Sequence, residues 1–171
     1  TVIRKVQIMN IEFGCGANPK EDGYKTCDIR NLPGIDYVCS AIDIADYCEH
    51  NSVNNIFSRH MFEHLTFHDG ELYLDACMKI LVSGGVLRMM MPNMTFHINQ
   101  WLSKDPAVMD HARAGFWGWQ REVAEGEDWD IHKSGYDFGT LNELLLRKGF
   151  VNIQRNKSLK HKHLSITALK P

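Results

Sequence analysis

A chain of 171 residues with 44% apolar and 23% charged side chains has the composition of one soluble globular domain, which excludes a disordered or fibrous protein. No apolar run reaches the length of about 20 residues that a membrane-spanning helix needs, and the first residues lack a signal pattern, so we expect a cytoplasmic protein. The net charge of −2 gives no overall attraction to nucleic acid or membranes, and five cysteines without a Cys-x-x-Cys pair argue against a disulfide framework.

The first half of the chain contains four predicted strands separated by turn residues. They cover residues 6–13, 24–29, 36–40 and 53–58. The first strand ends at a Gly-Cys-Gly turn, and only seven residues (17–23) separate this turn from the second strand. Because a parallel crossover normally needs a dozen residues or more, we predict that the first crossover helix is a turn or two at most, or absent.

The second half combines helices and strands. Apolar residues at helical spacing predict an amphipathic helix over about residues 68–81, which residues 83–85 (Ser-Gly-Gly) stop. The almost uninterrupted apolar run 86–91 predicts a central strand covered on both faces. A second helix is predicted over residues 141–148, with Gly149 as its stop signal.

The chain ends with two predicted strands, residues 150–154 and 164–169, joined by the basic run 155–163. We interpret this run as a solvated turn of an antiparallel pair. The order of elements predicts an α/β fold with a Rossmann-like, mostly parallel seven-stranded sheet, an antiparallel C-terminal hairpin and a shortened first crossover.

An acidic residue and two glycines mark the end of the first strand: Glu12, Gly14 and Gly16. Glycines there let the backbone approach a ligand at the edge where open α/β sheets bind their ligands. A plain strand-to-loop turn would show the same pattern. A dinucleotide fingerprint needs a further glycine, which is missing, and Glu12 suits a cationic group such as an ammonium.

Asp28 stands at the end of the second predicted strand. An acidic side chain at that place can accept hydrogen bonds from both hydroxyls of a ribose in nucleoside-binding α/β folds. The alternative is an ordinary turn aspartate ahead of Pro33-Gly34. The ribose interpretation is favoured only together with the glycine turn of the first strand.

These motifs and several later ones occur in an order that resembles a compact subfamily of class I S-adenosylmethionine-dependent methyltransferases, of the type-11-like kind. That subfamily also has a curtailed first crossover. The similar segments span nearly the whole chain: residues 12–19, 23–29, 51–53, 63–65, 80–87, 91–93, 132–137, 145–150 and 168–171.

The resemblance implies that the cofactor is S-adenosyl-L-methionine. Its methionine end would lie at the glycine turn, its ribose at Asp28, and its adenine between Ile29 and residues 42–44, with Asp43 as the candidate for the exocyclic amine. Ser58 and His60 would lie near the sulfonium. The predicted cofactor-binding residues are therefore Glu12, Gly14, Cys15, Gly16, Asp28, Ile29, Asp43, Ile44, Ser58 and His60.

Two histidines are the candidate catalytic residues. Methyl transfer from a sulfonium mainly needs alignment and exclusion of water, and a general base helps only where the acceptor must lose a proton. Histidine is well matched to that task at neutral pH. His60 is the first candidate and His132 the second, and the alternative for each is a structural or cofactor-shaping role.

The segment His60-Met61-Phe62-Glu63-His64 leaves a metal site as an alternative. On a helix His60, Glu63 and His64 would share one face. The segment is similar to the Glu-x-x-Glu-His metal motif of ubiquinone O-methyltransferases and small-RNA 2′-O-methyltransferases. Glu-His-Leu also occurs in metal-free relatives, and we therefore predict no metal ligands.

Residues 93–137 are rich in Trp and His and lack a clear period. They fall where class I methyltransferases insert a lid that binds the acceptor, and the alternative is a helical cover packed for stability. We predict one domain over residues 1–171 with this insertion at about 93–137. Its candidate acceptor contacts are His111, His132, Tyr136, Asp137, Gln120 and the tryptophans Trp101, Trp117, Trp119 and Trp129.

The sequence therefore predicts a methyltransferase that modifies an oxygen or nitrogen of a small polar acceptor, with a saccharide or secondary metabolite suggested by the resemblance. The alternatives are a catalytically silent module that binds the cofactor or its demethylated product, and an NAD(P)-dependent oxidoreductase. We expect a small-molecule partner, neither membrane nor nucleic acid, and the sequence does not determine the oligomeric state.

Overall fold

The computed structural model describes residues 9–120, 128–157 and 161–171. The strands are β1 (Met9–Phe13), β2 (Lys25–Asp28), β3 (Tyr37–Val38), β4 (Val53–Arg59), β5 (Leu81–Pro92), β6 (Val151–Arg155) and β7 (His163–Leu169). The α-helices are α1 (Phe67–Ile80), α2 (Met94–Ser103), α3 (Pro106–Trp117) and α4 (Phe138–Arg147), and Ala41–Asp46 and Phe62–His64 form 3₁₀ helices.

The strands form one seven-stranded sheet in the order β3-β2-β1-β4-β5-β7-β6. Pairing is parallel from β3 to β5, and β7 is antiparallel to both β5 and β6. The predicted α/β fold with its antiparallel C-terminal hairpin is therefore confirmed. In such a sheet the carboxyl ends of β1, β2, β3 and β4 all meet at one edge, where ligand crevices form.

The first crossover contains no helix anywhere in residues 14–24, all of which the structure describes. This loop is tied to the sheet by the hydrogen bond from Gly14 N to Cys27 O, at 2.8 Å. The predicted shortening of the crossover is confirmed, because a loop of this length can reach the adjacent parallel strand only without a packed helix.

Helix α1 covers the core side of the parallel strands. It begins after Thr66, whose Oγ1 accepts a hydrogen bond from Asp69 N at 3.0 Å and so satisfies one of the free amides of the first turn. Its buried face contributes large side chains, each stabilising the fold by roughly 1.5–3 kcal/mol. They are Tyr73, Leu74, Cys77 and Ile80.

Strand β5 differs from the expected one in two ways. It begins at Leu81, directly after α1, and residues 82–85 bulge out between its pairings with Val53 and Asn55 of β4. Beyond the bulge, fully buried and half-buried residues alternate, with Leu87, Met89 and Met91 in the core. The expectation of a strand covered on both faces was wrong, because the half-buried side holds Arg88, whose guanidinium bonds Glu21 at 2.7 Å.

Helices α2 and α3 pack closely against one another in the insertion. Asp105 caps α3 by accepting a hydrogen bond from Ala107 N, and Pro106 occupies the first turn, where no amide donor is missed. Gly115 lies against the ring of His97, and a Cβ at this position would lie 2.2 Å from His97 Cγ. The glycine therefore sets the distance between the two helices.

The remaining boundaries differ by a few residues from the predicted ones. Strand β3 is shorter than the predicted 36–40, and residues 6–8 of the first predicted strand lie outside the described residues. Across the described ranges, no helix has both the length and the apolar character required to cross a membrane.

Candidate functional site

A cavity of about 420 Å³ opens at the carboxyl edge of the sheet. We call it the strand-edge cavity. Its floor consists of residues that end or directly follow β1, β2 and β4, namely Gly14, Asp28 and His60, and its rim includes the insertion residues 128–130. The fold therefore brings the predicted glycine turn, the predicted acid and the candidate histidine together on the floor of this cavity.

Gly14 has a backbone conformation that other residues rarely adopt, with φ +63°. A Cβ there would lie 2.5 Å from Met61 Cγ, so the position also lacks room for a side chain. Gly16 has φ +59°, and its N–H donates to Asp28 Oδ2 at 2.8 Å, which connects the turn to the second strand. Cys15 and Gly16 do not line the cavity themselves.

Glu12 is buried, with 2% of its surface exposed, and does not line the cavity. Its carboxylate accepts hydrogen bonds from Lys20 N at 2.8 and 3.0 Å and from Glu21 N at 2.9 Å. It therefore stabilises the helix-free loop, whereas the resemblance implies a position at the methionine end of a cofactor. The sequence contains no signal for this loop-bracing role, because its partners are backbone amides.

Asp28 holds its carboxylate at the cavity floor. Besides Gly16 N, it accepts hydrogen bonds from Arg30 N at 3.0 Å and Arg30 Nε at 3.1 Å. Burial raises the pKa of Asp28, but the hydrogen bonds from Arg30 and Gly16 outweigh burial, so its pKa lies below the ordinary value. Asp28 is therefore ionised at neutral pH. Ile29, which is 61% exposed, adds an apolar surface beside it.

The resemblance places the adenine of the cofactor beside residues 42–44, which belong to the 3₁₀ helix Ala41–Asp46. Ser40, Ala41 and Ile42 line the cavity, whereas Ile44 is fully buried in the core. Asp43 is exposed and lies outside the cavity lining. The structure thus brings the preceding residues, and neither Asp43 nor Ile44, to the cavity wall.

His60 follows β4 with φ +49°, and its N–H donates to Met90 O at 2.8 Å. Its ring Nδ1 lies 3.0 Å from Glu63 Oε1, so the carboxylate orients the imidazole. Burial raises the pKa of Glu63, but the His60 hydrogen bond and the nearby histidines outweigh burial and lower it. Ser58, inside β4, is buried and does not line the cavity.

A second cavity of about 290 Å³ adjoins the first and shares His60, His64 and Asp130 with it. We call it the histidine cavity. The insertion and β7 build most of its wall, and the six histidines that line it are His60, His64, His97, His111, His132 and His163. The second catalytic candidate, His132, thus lies in a different cavity from the predicted cofactor contacts, although His60 connects the two.

His132 is fixed by a hydrogen bond between its Nδ1 and Gly115 O at 3.0 Å. Burial lowers the pKa of His132, although the charge of Glu63 raises it in part. The segment His60 to His64 does not form the expected α-helical face, because His60 has positive φ and only Phe62–His64 form a 3₁₀ turn. Glu63 and His64 nevertheless lie beside His132.

The aromatic residues of the insertion divide into two groups. Trp101 and Trp117 pack on one another with ring centroids 5.8 Å apart, as in a structural cover. Trp119 lines the histidine cavity and Trp129 the strand-edge cavity, as a lid would. Trp101 and Trp117 thus fit the structural interpretation, and the lid interpretation of the insertion stays a prediction that concerns Trp119 and Trp129.

Sequence reasoning missed two contributions to these cavities. Arg30, two residues after Asp28, lines the strand-edge cavity. Lys162 and His163, from the basic run expected to be a solvated turn, line the histidine cavity, and residues 158–160 of that run lie outside the described ranges. Arg30 stands beside Asp28 in sequence, but no pattern indicated that its side chain lines the cavity, whereas Lys162 and His163 reach the histidine cavity only through contacts between distant parts of the chain.

No protein-family model and no curated protein matches this chain. Solved structures do match: an S-adenosylmethionine-dependent methyltransferase from Archaeoglobus fulgidus has a TM-score of 0.63 at 16% identity, covering 96% of this chain and 87% of that one. One from Methanosarcina mazei has a TM-score of 0.63 at 12% identity, covering 95% and 92%.

A third structure is phosphoethanolamine N-methyltransferase 2 from Haemonchus contortus, in complex with phosphomonomethylethanolamine and S-adenosylhomocysteine. Its TM-score is 0.59 at 13% identity, with 96% of this chain covered, and this chain spans only 49% of that longer protein. Identities this low establish the architecture alone. This chain has the fold of class I S-adenosylmethionine-dependent methyltransferases.

Proposed function

We propose that this protein transfers a methyl group from S-adenosyl-L-methionine to an oxygen or nitrogen of a small polar acceptor. One observation carries the proposal: the strand-edge cavity, with Gly14 and Asp28 on its floor, meets the histidine cavity at His60. Two adjoining cavities that share the imidazoles of His60 and His64 suit a reaction between a bound cofactor and a second molecule.

The residues of the strand-edge cavity fit the cofactor. The ionised carboxylate of Asp28 suits two ribose hydroxyls, and Gly14 allows close approach of the backbone. The exposed apolar side chain of Ile29 and the half-buried Ile42 suit the faces of a purine. When bound, S-adenosyl-L-methionine supplies an electrophilic methyl group on a positively charged sulfur.

The chain itself has three tasks in such a reaction: aligning the acceptor, excluding water and removing a proton where the acceptor carries one. Because Glu63 accepts the hydrogen of His60 Nδ1, the Nε2 atom of His60 is left as the proton acceptor. Trp129 and Trp119 of the insertion cover the two cavities and would keep water away.

The alternative oxidoreductase function is disfavoured by the loop after β1. A dinucleotide pyrophosphate needs free backbone amides and a helix N-terminus. Here the amides of Gly16, Lys20 and Glu21 already donate to the carboxylates of Asp28 and Glu12, and no helix follows in residues 14–24. The silent-module alternative is disfavoured by the second cavity, which a protein that only binds the cofactor would not need.

The acceptor that we propose is a small polar molecule such as a saccharide derivative or another secondary metabolite. The cavity of about 290 Å³ accommodates a molecule of that size. Its imidazole and ammonium groups can orient hydroxyl, amine or acidic groups of the acceptor.

The test combines ligand binding with a single substitution. S-Adenosylmethionine and S-adenosylhomocysteine at about a hundred times their dissociation constants should each stabilise the protein by about 2.7 kcal/mol, measured as a rise in melting temperature. Asp28→Asn should weaken their affinity about a hundredfold, because two hydrogen bonds to a charged group are lost.

Asp46→Asn is the matched control, since Asp46 is an exposed carboxylate outside the cavity lining, and the cofactor affinity of this variant should stay within a few-fold of that of the wild type. Transfer of labelled methyl groups to metabolite pools then identifies the acceptor. A rise in melting temperature with NADH alone would contradict the proposal.

A further inference from the structure

Glu63 is the most buried acid of the histidine cavity, with 2% of its surface exposed. Its Oε1 atom is bonded to His60 Nδ1 at 3.0 Å. Its Oε2 atom is buried and has no hydrogen-bond partner among the described residues. A buried carboxylate oxygen without a partner is costly, so this atom is expected to have a ligand in the functional protein.

His64 and His132 flank Glu63, and the orientation of both rings is fixed in the same manner. The Nδ1 atom of His64 lies 3.0 Å from Ile131 O, and that of His132 lies 3.0 Å from Gly115 O. A carbonyl oxygen only accepts, so each Nδ1 carries the hydrogen and each Nε2 retains its lone pair. Histidines that bind metals are typically held in this way.

The three side chains converge on one point. One ligand atom from each of Glu63, His64 and His132 can be chosen so that all three lie within 4.8 Å of one another. The chain after His132 is fastened to the same place, because Lys133 N and Ser134 N donate to Glu63 O at 2.8 and 3.1 Å. These hydrogen bonds therefore fix the position of the insertion relative to the segment that follows β4.

We propose that Glu63, His64 and His132 bind a divalent first-row transition-metal ion, of which Zn²⁺ is the best match. Two imidazoles and one carboxylate are a ligand set that such ions accept, and three protein ligands leave coordination positions open to the cavity. Since ligand distances are about 2.1 Å, the site closes around the ion with small side-chain rotations.

His60 is a positioning residue in this site. It engages Oε1 of Glu63 and so leaves Oε2 as the oxygen available to the metal ion. The site also narrows the class of acceptor, an inference that rests on the proposed function. A divalent ion lowers the pKa of a hydroxyl that binds it, which suits an acceptor with a hydroxyl group or two adjacent oxygens.

The test is metal binding by the full chain without any cofactor. Protein stripped with a chelator and then titrated with Zn²⁺ or Co²⁺ should retain one ion per chain after gel filtration, measured by elemental analysis. Co²⁺ should also give visible absorption bands of a site with nitrogen and oxygen ligands. Wild-type protein that retains no stoichiometric ion overturns the proposal.

Substitutions assign the ligands. His132→Ala and Glu63→Gln should each weaken metal affinity at least a hundredfold, and His60→Ala about ten- to a hundredfold, as expected for an outer partner. His111→Ala is the matched control, because His111 lines the same cavity but its Nδ1 bonds Gln100 Oε1 at 2.9 Å. The metal affinity of the His111→Ala variant should equal that of the wild type.

Near-ultraviolet circular dichroism identifies the variants that keep the fold, and only those are scored. His132 is only half-buried, whereas Glu63 is buried, so its alanine variant should disturb the fold less than a substitution of Glu63. Unchanged metal affinity in folded His132→Ala, or an equal loss in His111→Ala, overturns the assignment.

The metal proposal and the proposed function are tested separately, so either one can be refuted without the other. Binding of S-adenosylhomocysteine is measured on metal-free protein, and metal binding on protein free of the nucleoside. Metal bound without nucleoside binding would refute only the methyltransferase function, and the reverse result would refute only the metal site.

Discussion

The strand-edge cavity and the histidine cavity share His60 but are built in different ways. The first consists largely of residues that end or follow parallel strands, so that its walls are determined by the sheet and by local turns. The second is assembled from distant segments: His64 bonds Ile131, and His132 bonds Gly115. Its geometry therefore depends on how the insertion packs.

The difference has a physical consequence. Strand ends of a parallel sheet keep their relative positions because the whole hydrogen-bond ladder holds them. The close contact at Gly115 joins the two helices of the insertion to one another, and hydrogen bonds such as those of Lys133 N and Ser134 N to Glu63 O connect the insertion to the loop after β4. We therefore expect the histidine cavity to respond more strongly to substitutions and to pH than the strand-edge cavity.

The largest expected effect comes from substituting His60, which lines both cavities. His60→Ala should reduce the rate of methyl transfer by about 10²–10⁴-fold, the usual contribution of a positioned general base. Affinity for S-adenosylhomocysteine, measured by calorimetry, should change much less, because the proposed function assigns the cofactor contacts mainly to Asp28 and to the backbone at Gly14.

His68→Ala is the control, because His68 is exposed on α1 and lines neither cavity. It should leave the rate unchanged. If His60→Ala weakened cofactor binding as much as it slowed transfer, His60 would serve the first cavity alone, and the division of roles would be wrong.

The second expected effect is a loss of stability on mild acidification, originating in the histidine cavity. Burial lowers the pKa of His97 to about 4, and the charge of His111 adds to the effect. A group whose pKa is depressed by folding stabilises the fold fully above its unfolded pKa. The free energy of unfolding should therefore fall by about 2 kcal/mol as the pH drops from about 6.5 towards 4.

The pKa of Asp28 is also lowered, so the stability that its ionised carboxylate contributes is lost only as the pH falls below the ordinary pKa range of aspartate. We therefore expect the strand-edge cavity to lose its structure at a lower pH than the histidine cavity. Urea unfolding at several pH values measures the slope. His97→Gln should flatten this slope, although His111 and His132, whose pKa values burial also lowers, should leave part of it. A stability that does not change between about pH 7 and 4.5 would contradict this expectation.

The smallest expected effect lies outside both cavities. Asp137 and Thr140 form a capping box at the start of α4, with Thr140 N donating to Asp137 Oδ1 at 2.8 Å. Asp137→Ala should lower the free energy of unfolding by about 1 kcal/mol and leave cofactor affinity unchanged. Thermal unfolding and calorimetry measure the two quantities.

Asp110→Ala is the matched control, because Asp110 has 87% of its side chain exposed and caps no helix. It should change stability by less than about 0.5 kcal/mol. A drop in cofactor affinity in the Asp137 variant would show that α4 communicates with the strand-edge cavity.

The fold was predictable where its elements have local signals, which α2 and α3 lack. Apolar runs, glycine stops and the short spacing after Gly16 were enough for the sheet, its antiparallel end and the helix-free crossover. The uniform apolar run of β5 was misleading, since methionine and valine also occur on a half-buried face. The bulge over residues 82–85 was equally hidden, because the same glycines suit a helix stop.

The candidate site was predictable only where it follows the strands. Gly14, Asp28, Ile29 and His60 line the strand-edge cavity, and their role in cofactor binding stays a prediction. The side chain of Glu12 bonds backbone amides, and Ile44 faces the core, which spacing alone does not reveal. The grouping of His132 with Glu63 and His64 joins residues that are far apart in sequence, so it required the three-dimensional structure.

The guanidinium of Arg30 lies across the carboxylate of Asp28, so the edge of the sheet already contains its own counter-ion. A nucleoside whose hydroxyls bind the oxygens of Asp28 must compete with Arg30 for them. Its binding therefore replaces hydrogen bonds from Arg30 with hydrogen bonds from the nucleoside. The observed affinity is then the difference between two sets of contacts. Arg30 itself lines the cavity and therefore lies close to any molecule that binds at Asp28.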